Sequence, residues 1–328
     1  MSGQAEKVNV RRKPRGMWAR VRNIQTLRLF SQLAFALFIL YLMVAHTILG
    51  EGAENAPASP ESYCPFGGLE TLYSYIFQGT TFIAHTHPSN LVLLIAVIAL
   101  AVVARGAFCG WICPLGAIQE WLFKLSLGLQ KRVPILGRRM KALKTGLGVT
   151  PRQRLAHPNK TPWILKLDHY ARYFRYVVLA WILVGTAYYG YMVFRDFDPW
   201  SALIHVAELQ LTLGGVILAL TLVASFFVER PWCRYACPMG AAIGLASKVS
   251  PLRLQREGSS CGGCNLCNYK CPVGLDVAKM SDVTSASCIM CLECMDTCPV
   301  SGALGLKLVL PGVKAKPTDT PVVSPAAK

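Results

Sequence analysis

The sequence predicts an α-helical integral membrane protein with four transmembrane helices, arranged as two repeated two-helix units. A small C-terminal α+β module follows on the cytoplasmic side. Three observations carry this prediction. Of 328 residues, 53% are hydrophobic and only 16% charged, against about 25% charged in a soluble domain. Four apolar runs have the character of helices that cross about 30 Å of hydrocarbon. The stretch FCGWICPLGAI (108–118), which follows the second run, recurs as WCRYACPMGAA (232–242) after the fourth.

Residues 1–26 are basic (Lys7, Arg11, Arg12, Lys13, Arg15, Arg20 and Arg22), and the first ten or so are expected to be disordered. The Arg11-Arg12 pair suggests an export signal. Its flanks fit poorly and the next apolar run is long for one, so an uncleaved signal anchor is the better reading. Residues 27–49 form the first span. Residues 50–90 contain no Lys or Arg but carry Glu51, Glu54, Glu61 and Glu70. Residues 91–104 begin a second span, expected to run on to about Cys109. Residues 105–172 are strongly basic, and the loop 124–172 suits attraction to anionic lipid headgroups, the alternative being docking of an acidic soluble ferredoxin or flavodoxin. Residues 173–194 make the third span and 209–228 the fourth. With both termini and the 105–175 loop inside, 33 of the 34 basic residues are cytoplasmic and Arg195 alone is outside. That pattern explains the net charge of +17 as a membrane protein's cytoplasmic loops and excludes nucleic acid as the partner. The membrane domain is thus 27–250, the C-terminal module 251–310, and residues 311–328 a disordered tail.

Eight of the 13 cysteines lie between Cys261 and Cys298. Each half of that block reads C-x₂-C-x₂-C-x₃-C-P, the run that holds a [4Fe–4S] cluster in two-cluster ferredoxins. Three closely spaced thiolates reach three irons of a cube, and the fourth ligand comes from the other half. Cys261, Cys264, Cys267 and Cys298 are therefore expected to hold one cluster, and Cys288, Cys291, Cys294 and Cys271 the other. Pro272 and Pro299 turn the chain away after each fourth ligand. Zinc also binds C-x₂-C pairs, but does not explain a doubled four-cysteine run with proline after each. About sixty residues bury too little to fold securely alone, so the clusters act as staples. The odd total and this spacing argue against a disulfide framework.

The repeat adds Cys109, Cys113, Cys233 and Cys237 in two C-x₃-C-P motifs. A spacing of i, i+4 puts both sulfurs on one helix face, and two such faces would present four thiolates. They would hold a third iron–sulfur centre or form a redox-active thiol set; the bland alternative is small cysteines easing helix packing. Arg105 and Arg230 precede the motifs. Snorkelling to headgroups is the favoured reading; the other is compensation of a cluster's negative charge. Cys64, in YCPFGG, falls outside the membrane. It is a redox or quinone-site residue, a contact to an exported partner, or a structural thiol in a turn. His46, His85, His87 and His205 fall on or near the same side, where histidines take quinol protons or bind haem. His157 and His169 lie in the basic loop and are expected to be solvated.

With four spans, YCPFGG, two C-x₃-C-P motifs and the eight-cysteine block, the chain resembles the NapH/MauN family of membrane-bound ferredoxins; the membrane half of NosR-type proteins is similar. The resemblance runs from about residue 27 to 300. It implies electron transfer between the quinone pool or a cytoplasmic donor and a partner redox enzyme on the periplasmic side, with the chain as an electron-transfer subunit of the kind found in quinol dehydrogenases. Some members serve cofactor maturation or regulation, so a membrane-bound redox sensor is the alternative. A periplasmic flavin-binding domain of the NosR kind is not expected within residues 1–328, a departure from the NosR pattern. An electron-driven transporter is disfavoured, because the middles of the spans lack ionisable residues. One gap stands out: all twelve motif cysteines are expected at or inside the cytoplasmic boundary, with the outer face about 30 Å away.

Overall fold

The computed structural model describes residues 24–49, 67–68, 72, 76, 88–135, 137–139, 163–189, 193–204, 212–256, 261, 264–300 and 302–309. Among these the chain is mostly helical, with one small sheet. Helix α1 (Ile24–Leu49) contains a 22-residue stretch, Ile24–Ala45, long and apolar enough to cross a membrane. The other three expected runs also meet helices, but shorter ones: α2 (Pro88–Ala104), α5 (Phe174–Tyr189) and α7 (Leu213–Ser225). At 1.5 Å per residue these are about 20–26 Å long. The expectation that the second span reaches Cys109 is corrected. The helix stops at Ala104 because Arg105 takes a left-handed conformation, φ 58°. Helix α7 starts late because Thr212 caps it, its hydroxyl accepting the Gly215 N–H at 3.3 Å.

The remaining helices are α3 (Pro114–Arg132), α4 (Trp163–Ala171), α6 (Pro199–Ile204), α8 (Pro231–Tyr235) and α9 (Pro238–Ala246). One core joins Leu94, Val97 and Ala101 of α2 to Ile182 of α5 and to Met239, Ala241 and Ile243 of α9. The opposite faces are apolar too: Val92, Ile95 and Val103 on α2, Val177, Trp181 and Val184 on α5, Val216, Leu220 and Val223 on α7 are all exposed.

The connection from α5 to α7 was expected to be an outer loop. Its described part instead folds back into the helical body. Phe194 is buried and stacks on Trp232 at 6.4 Å, and Phe197 meets Trp181 edge-on at 5.4 Å. The Asp198 carboxylate accepts the Trp200 N–H at 3.0 Å, capping α6.

The C-terminal module is α+β, as expected. Strand β1 (Leu252–Arg256) lies between β2 (Asp282–Val283) and β3 (Leu304–Leu308), antiparallel to both. Leu254 sits opposite Val283 on one side and Leu306 on the other. Two one-turn helices, α10 (Leu266–Tyr269) and α11 (Glu293–Thr297), pack together. The residue before each is left-handed, Asn265 at φ 54° and Leu292 at φ 58°. Both stand between the second and third cysteines of their half, so the two halves repeat one local turn.

Candidate metal centres

The two C-x₃-C-P arms do not form continuous helix faces, which corrects the i, i+4 expectation. Cys109 sits in a π-helical turn, Phe108–Ile112, and Cys233 in α8. Cys113 and Cys237 are extended (φ −61°, ψ 113° and φ −66°, ψ 113°) and begin α3 and α9. The reason is Pro114 and Pro238. Each disfavours helical geometry in the residue before it and occupies the first helical position. The second cysteine of each arm thereby faces a helix N-terminus, where backbone N–H groups favour a thiolate. The Cys237 sulfur accepts the Gly240 N–H at 3.3 Å, and Cys113 faces those of Gly116 and Leu115. Each arm also opens on a left-handed arginine, Arg105 or Arg230 (φ 54°). Three residues separate Arg105 from Cys109, but only two separate Arg230 from Cys233. The π-turn accommodates the extra one.

The fold places the four thiols within electrostatic range of one another. Cys109 is within electrostatic range of Cys113 and Cys233, and Cys237 of Cys109, Cys113 and Cys233. Around them lies a buried polar shell that the sequence reading missed. Arg230 is fully buried; it donates to the Cys109 carbonyl at 2.6 Å and to Glu120 at 2.7 and 3.1 Å. Arg28, also buried, donates to the Gly110 carbonyl at 2.9 Å and to Glu120. Burial opposes ionisation of Glu120, but Arg230, Arg28 and Lys124 outweigh it and hold the carboxyl down at about 2. Gln119 donates to the Cys233 sulfur at 3.6 Å. Arg105 is 1% exposed and donates to the carbonyls of Ser247 and Ser285 at 3.2 and 3.0 Å. Headgroup snorkelling is therefore corrected for both arginines: their heads face inward. The one available signal was the Gln119-Glu120 pair within an otherwise apolar arm.

A second network braces the other arm. Asp168 of α4 accepts from Arg234 at 2.6 Å and Tyr235 at 2.5 Å, both inside the second motif, and from Arg172 at 2.6 Å. Arg172 also reaches the Gly274 carbonyl of the C-terminal module at 3.2 Å. Burial pushes the Asp168 carboxyl up, but Arg234, Tyr235 and Arg172 outweigh it, and its pKa is lowered. A depressed carboxyl contributes stability above the ordinary carboxylate range and loses it as pH falls through its folded value. Asp168→Asn is expected to cost about 1.5–3 kcal/mol at neutral pH. The difference in unfolding midpoint from the unaltered protein should shrink on acidification below about pH 4, as a pH series of melting curves reads out.

In the C-terminal module, Cys271, Cys288, Cys291 and Cys294 line one cavity walled by Leu254, Val277 and Val283. Burial pushes the Cys294 thiol up to about 12, so ionisation there calls for a cationic partner. Cys267, pushed up to about 11 by burial, is within range of Cys261 and Cys264. Cys264 is exposed. Cys298 packs against the module's core, its thiol 3.4 Å from the Val300 carbonyl. The two sets adjoin, since Cys294 is also within range of Cys267. Among the described residues no group of three or more His, Cys, Asp or Glu is arranged to hold a single metal ion. Four thiolates on one tetrahedral zinc stand only ~3.8 Å apart, whereas a cube spreads its ligands over four irons. Each set offers four thiols, the ligand number and type of a [4Fe–4S] cluster.

The C-terminal module is docked on the first arm through glycines. A Cβ on Gly106 would lie 2.4 Å from the Cys288 carbonyl oxygen, and one on Gly110 2.3 Å from that of Ile289. The Trp111 indole donates to the Met290 carbonyl at 2.9 Å, and the Gln25 amide to that of Cys291 at 2.9 Å. Cys109 packs against both hydrophobic cores. Cys64, His85, His87, His157, His205 and the side chain of His46 lie outside the described residues. His169 is exposed, edge-on to Tyr170 and Tyr173.

A family profile described as a 4Fe-4S binding domain matches residues 86–134 and 210–257. These two stretches are the arms with their preceding helices, not the eight-cysteine block. YccM of Escherichia coli K12, described as a candidate electron transport protein, is 26% identical over 91% of this chain and 80% of its own. The ferredoxin-type protein NapH of the same organism is 28% identical over 62% of this chain and 63% of its own. The regulatory protein NosR of Pseudomonas aeruginosa is 26% identical over 60% of this chain and 25% of its own. No solved structure matches. The doubled 4Fe-4S match and these relatives make the chain similar to NapH-like ferredoxin-type proteins and support an iron–sulfur electron transport protein.

Proposed function

We propose that the chain is a multi-pass membrane electron carrier linking the quinone pool or a cytoplasmic donor to a partner redox enzyme on the opposite side. Helices α1, α2, α5 and α7 cross the bilayer, with both termini cytoplasmic. The two-sided apolarity of these helices supports this, since a helix apolar all round is either buried or in lipid. The contact of Gln25 with Cys291 supports the N-terminus lying on the side of the C-terminal module. The infolded segment around α6 compensates for the short helices, as irregular backbone at membrane depth requires burial in protein.

Cys261, Cys264, Cys267 and Cys298 would hold one [4Fe–4S] cluster, Cys271, Cys288, Cys291 and Cys294 a second, and Cys109, Cys113, Cys233 and Cys237 a third centre. These groups supply one-electron redox chemistry; the chain orients them, excludes water and compensates their charge. The observation that supports this reading most is the close approach of Gly106 and Gly110, which flank Cys109, to the backbone of Cys288 and Ile289, with the four arm thiols within electrostatic range of one another. The three sets then form a series from the exposed Cys264 to the membrane arms. Asp198 is within electrostatic range of Cys113, a carboxylate suited to receive a quinol proton where the outer connection folds in. Cys64 remains a candidate for the outer end of the route.

Anaerobic protein should contain about twelve irons per chain and show quinol-dependent reduction during an EPR titration. Cys109→Ser/Cys233→Ser should lower the count to about eight; unchanged iron overturns the third centre. The similarity to a protein named as regulatory favours one second reading, a redox sensor. Cluster reduction by quinol much slower than turnover would select it.

A further inference from the structure

The two arms are repeats, yet their polar shells are not. Six residues after Cys113 stands Gln119, fully buried; six after Cys237 stands Ile243, also buried. The next residues are Glu120 and Gly244. Gln119 reaches across to the second arm. Its Oε1 accepts the Trp232 N–H at 3.1 Å, while its Nε2 donates to the Leu115 carbonyl at 3.1 Å and faces the Cys233 sulfur at 3.6 Å. This network fixes the amide's orientation. Flipping it would set its oxygen against a carbonyl and a sulfur, and its NH₂ against an N–H. Cys113 and Cys237 face backbone N–H groups of their own helices. Cys233 receives a side-chain donor from the opposite arm, and the repeat offers no equivalent.

We propose that Gln119 is a positioning residue of the C-x₃-C-P centre, which holds the Cys233 sulfur in place and raises the centre's reduction potential by hydrogen bonding to it. This rests on the third-centre reading above. A donor to a ligand sulfur stabilises the more negative, reduced state, so hydrogen bonds to sulfur are a main determinant of cluster potential. The neighbouring Glu120–Arg230 pair keeps α3 and the start of α8 together, so the donor stays aimed at the sulfur.

The test uses the full chain, purified anaerobically. Gln119→Met keeps the reach without a donor. Gln119→Glu keeps the acceptor for the Trp232 N–H but removes the donor and adds negative charge. The third EPR signal is expected to shift to lower potential in the Met variant and lower still in the Glu variant, with the two C-terminal cluster signals unmoved. A third signal at unchanged potential, in variants with full iron, overturns the proposal. If both variants lose four irons, the wild-type protein decides: with ¹⁵N-labelled glutamine side chains, pulsed EPR should detect a nitrogen coupling to the third centre. Absence of that coupling overturns the proposal. Eight irons and no third signal in the wild type would instead fail the third-centre reading itself.

Discussion

Gly110→Ala is expected to separate the C-terminal module from the C-x₃-C-P arms without lowering the protein's iron content. The new methyl would lie 2.3 Å from the Ile289 carbonyl oxygen, a backbone atom with no rotamer to escape by. Ile289 lies between two ligand candidates, Cys288 and Cys291, so relief must move the loop. Overpacking of this kind costs roughly 1–3 kcal/mol, which corresponds to about 5–150-fold in the docked-to-undocked equilibrium constant. Electron tunnelling falls steeply with distance, so quinol-dependent reduction of the module should slow as the undocked fraction grows. Chemical reduction by dithionite and the iron count should stay normal. Gly128→Ala is the control, since a Cβ there meets nothing within 4 Å. Normal quinol-driven kinetics in Gly110→Ala would mean that electrons do not pass through this contact.

Glu120→Gln is expected to have the largest effect on stability of any single charge removal. The carboxylate is fully buried and shared by two buried guanidiniums, Arg28 and Arg230. Removing it leaves both positive charges without their anion, a change that costs about 3–5 kcal/mol against a total stability of roughly 5–15 kcal/mol. The midpoint of thermal unfolding should fall by on the order of 10 °C, and iron at the arms should be lost before iron in the C-terminal module. Lys124 contacts the same carboxylate at 2.7 Å, but its side chain is 53% exposed, so Lys124→Ala should cost no more than about 1 kcal/mol. Equal effects from the two substitutions would show that burial is not what makes the Glu120 network matter.

The eight-cysteine block, its α+β module and the paired arms could be read directly because their information is local. Ligand spacing within a dozen residues specifies a cluster loop whatever surrounds it, and a repeated Cys-Pro pair announces two similar turns. The apolar runs were legible as helices for the same reason, although three of the four are shorter than the runs suggested. What local pattern could not supply was the backbone at the arms. An i, i+4 spacing suggests one helix face, yet Pro114 and Pro238 divide each motif between the end of one helical turn and the start of the next. Nor could it orient the arginines. Arg105 and Arg230 beside apolar runs look like headgroup anchors; only the packing of α3 against the second arm, with Glu120 and backbone carbonyls waiting inside, turns them inward.

The chain's candidate ligands were therefore present in its sequence: twelve cysteines in three potential sets. Their connection was a matter of tertiary structure. Which sets adjoin depends on contacts such as Gly110 with Ile289 and Trp111 with Met290, some 180 residues apart. Spacing along a chain constrains ligands held by one loop, whereas the order of a relay depends on how separate loops pack.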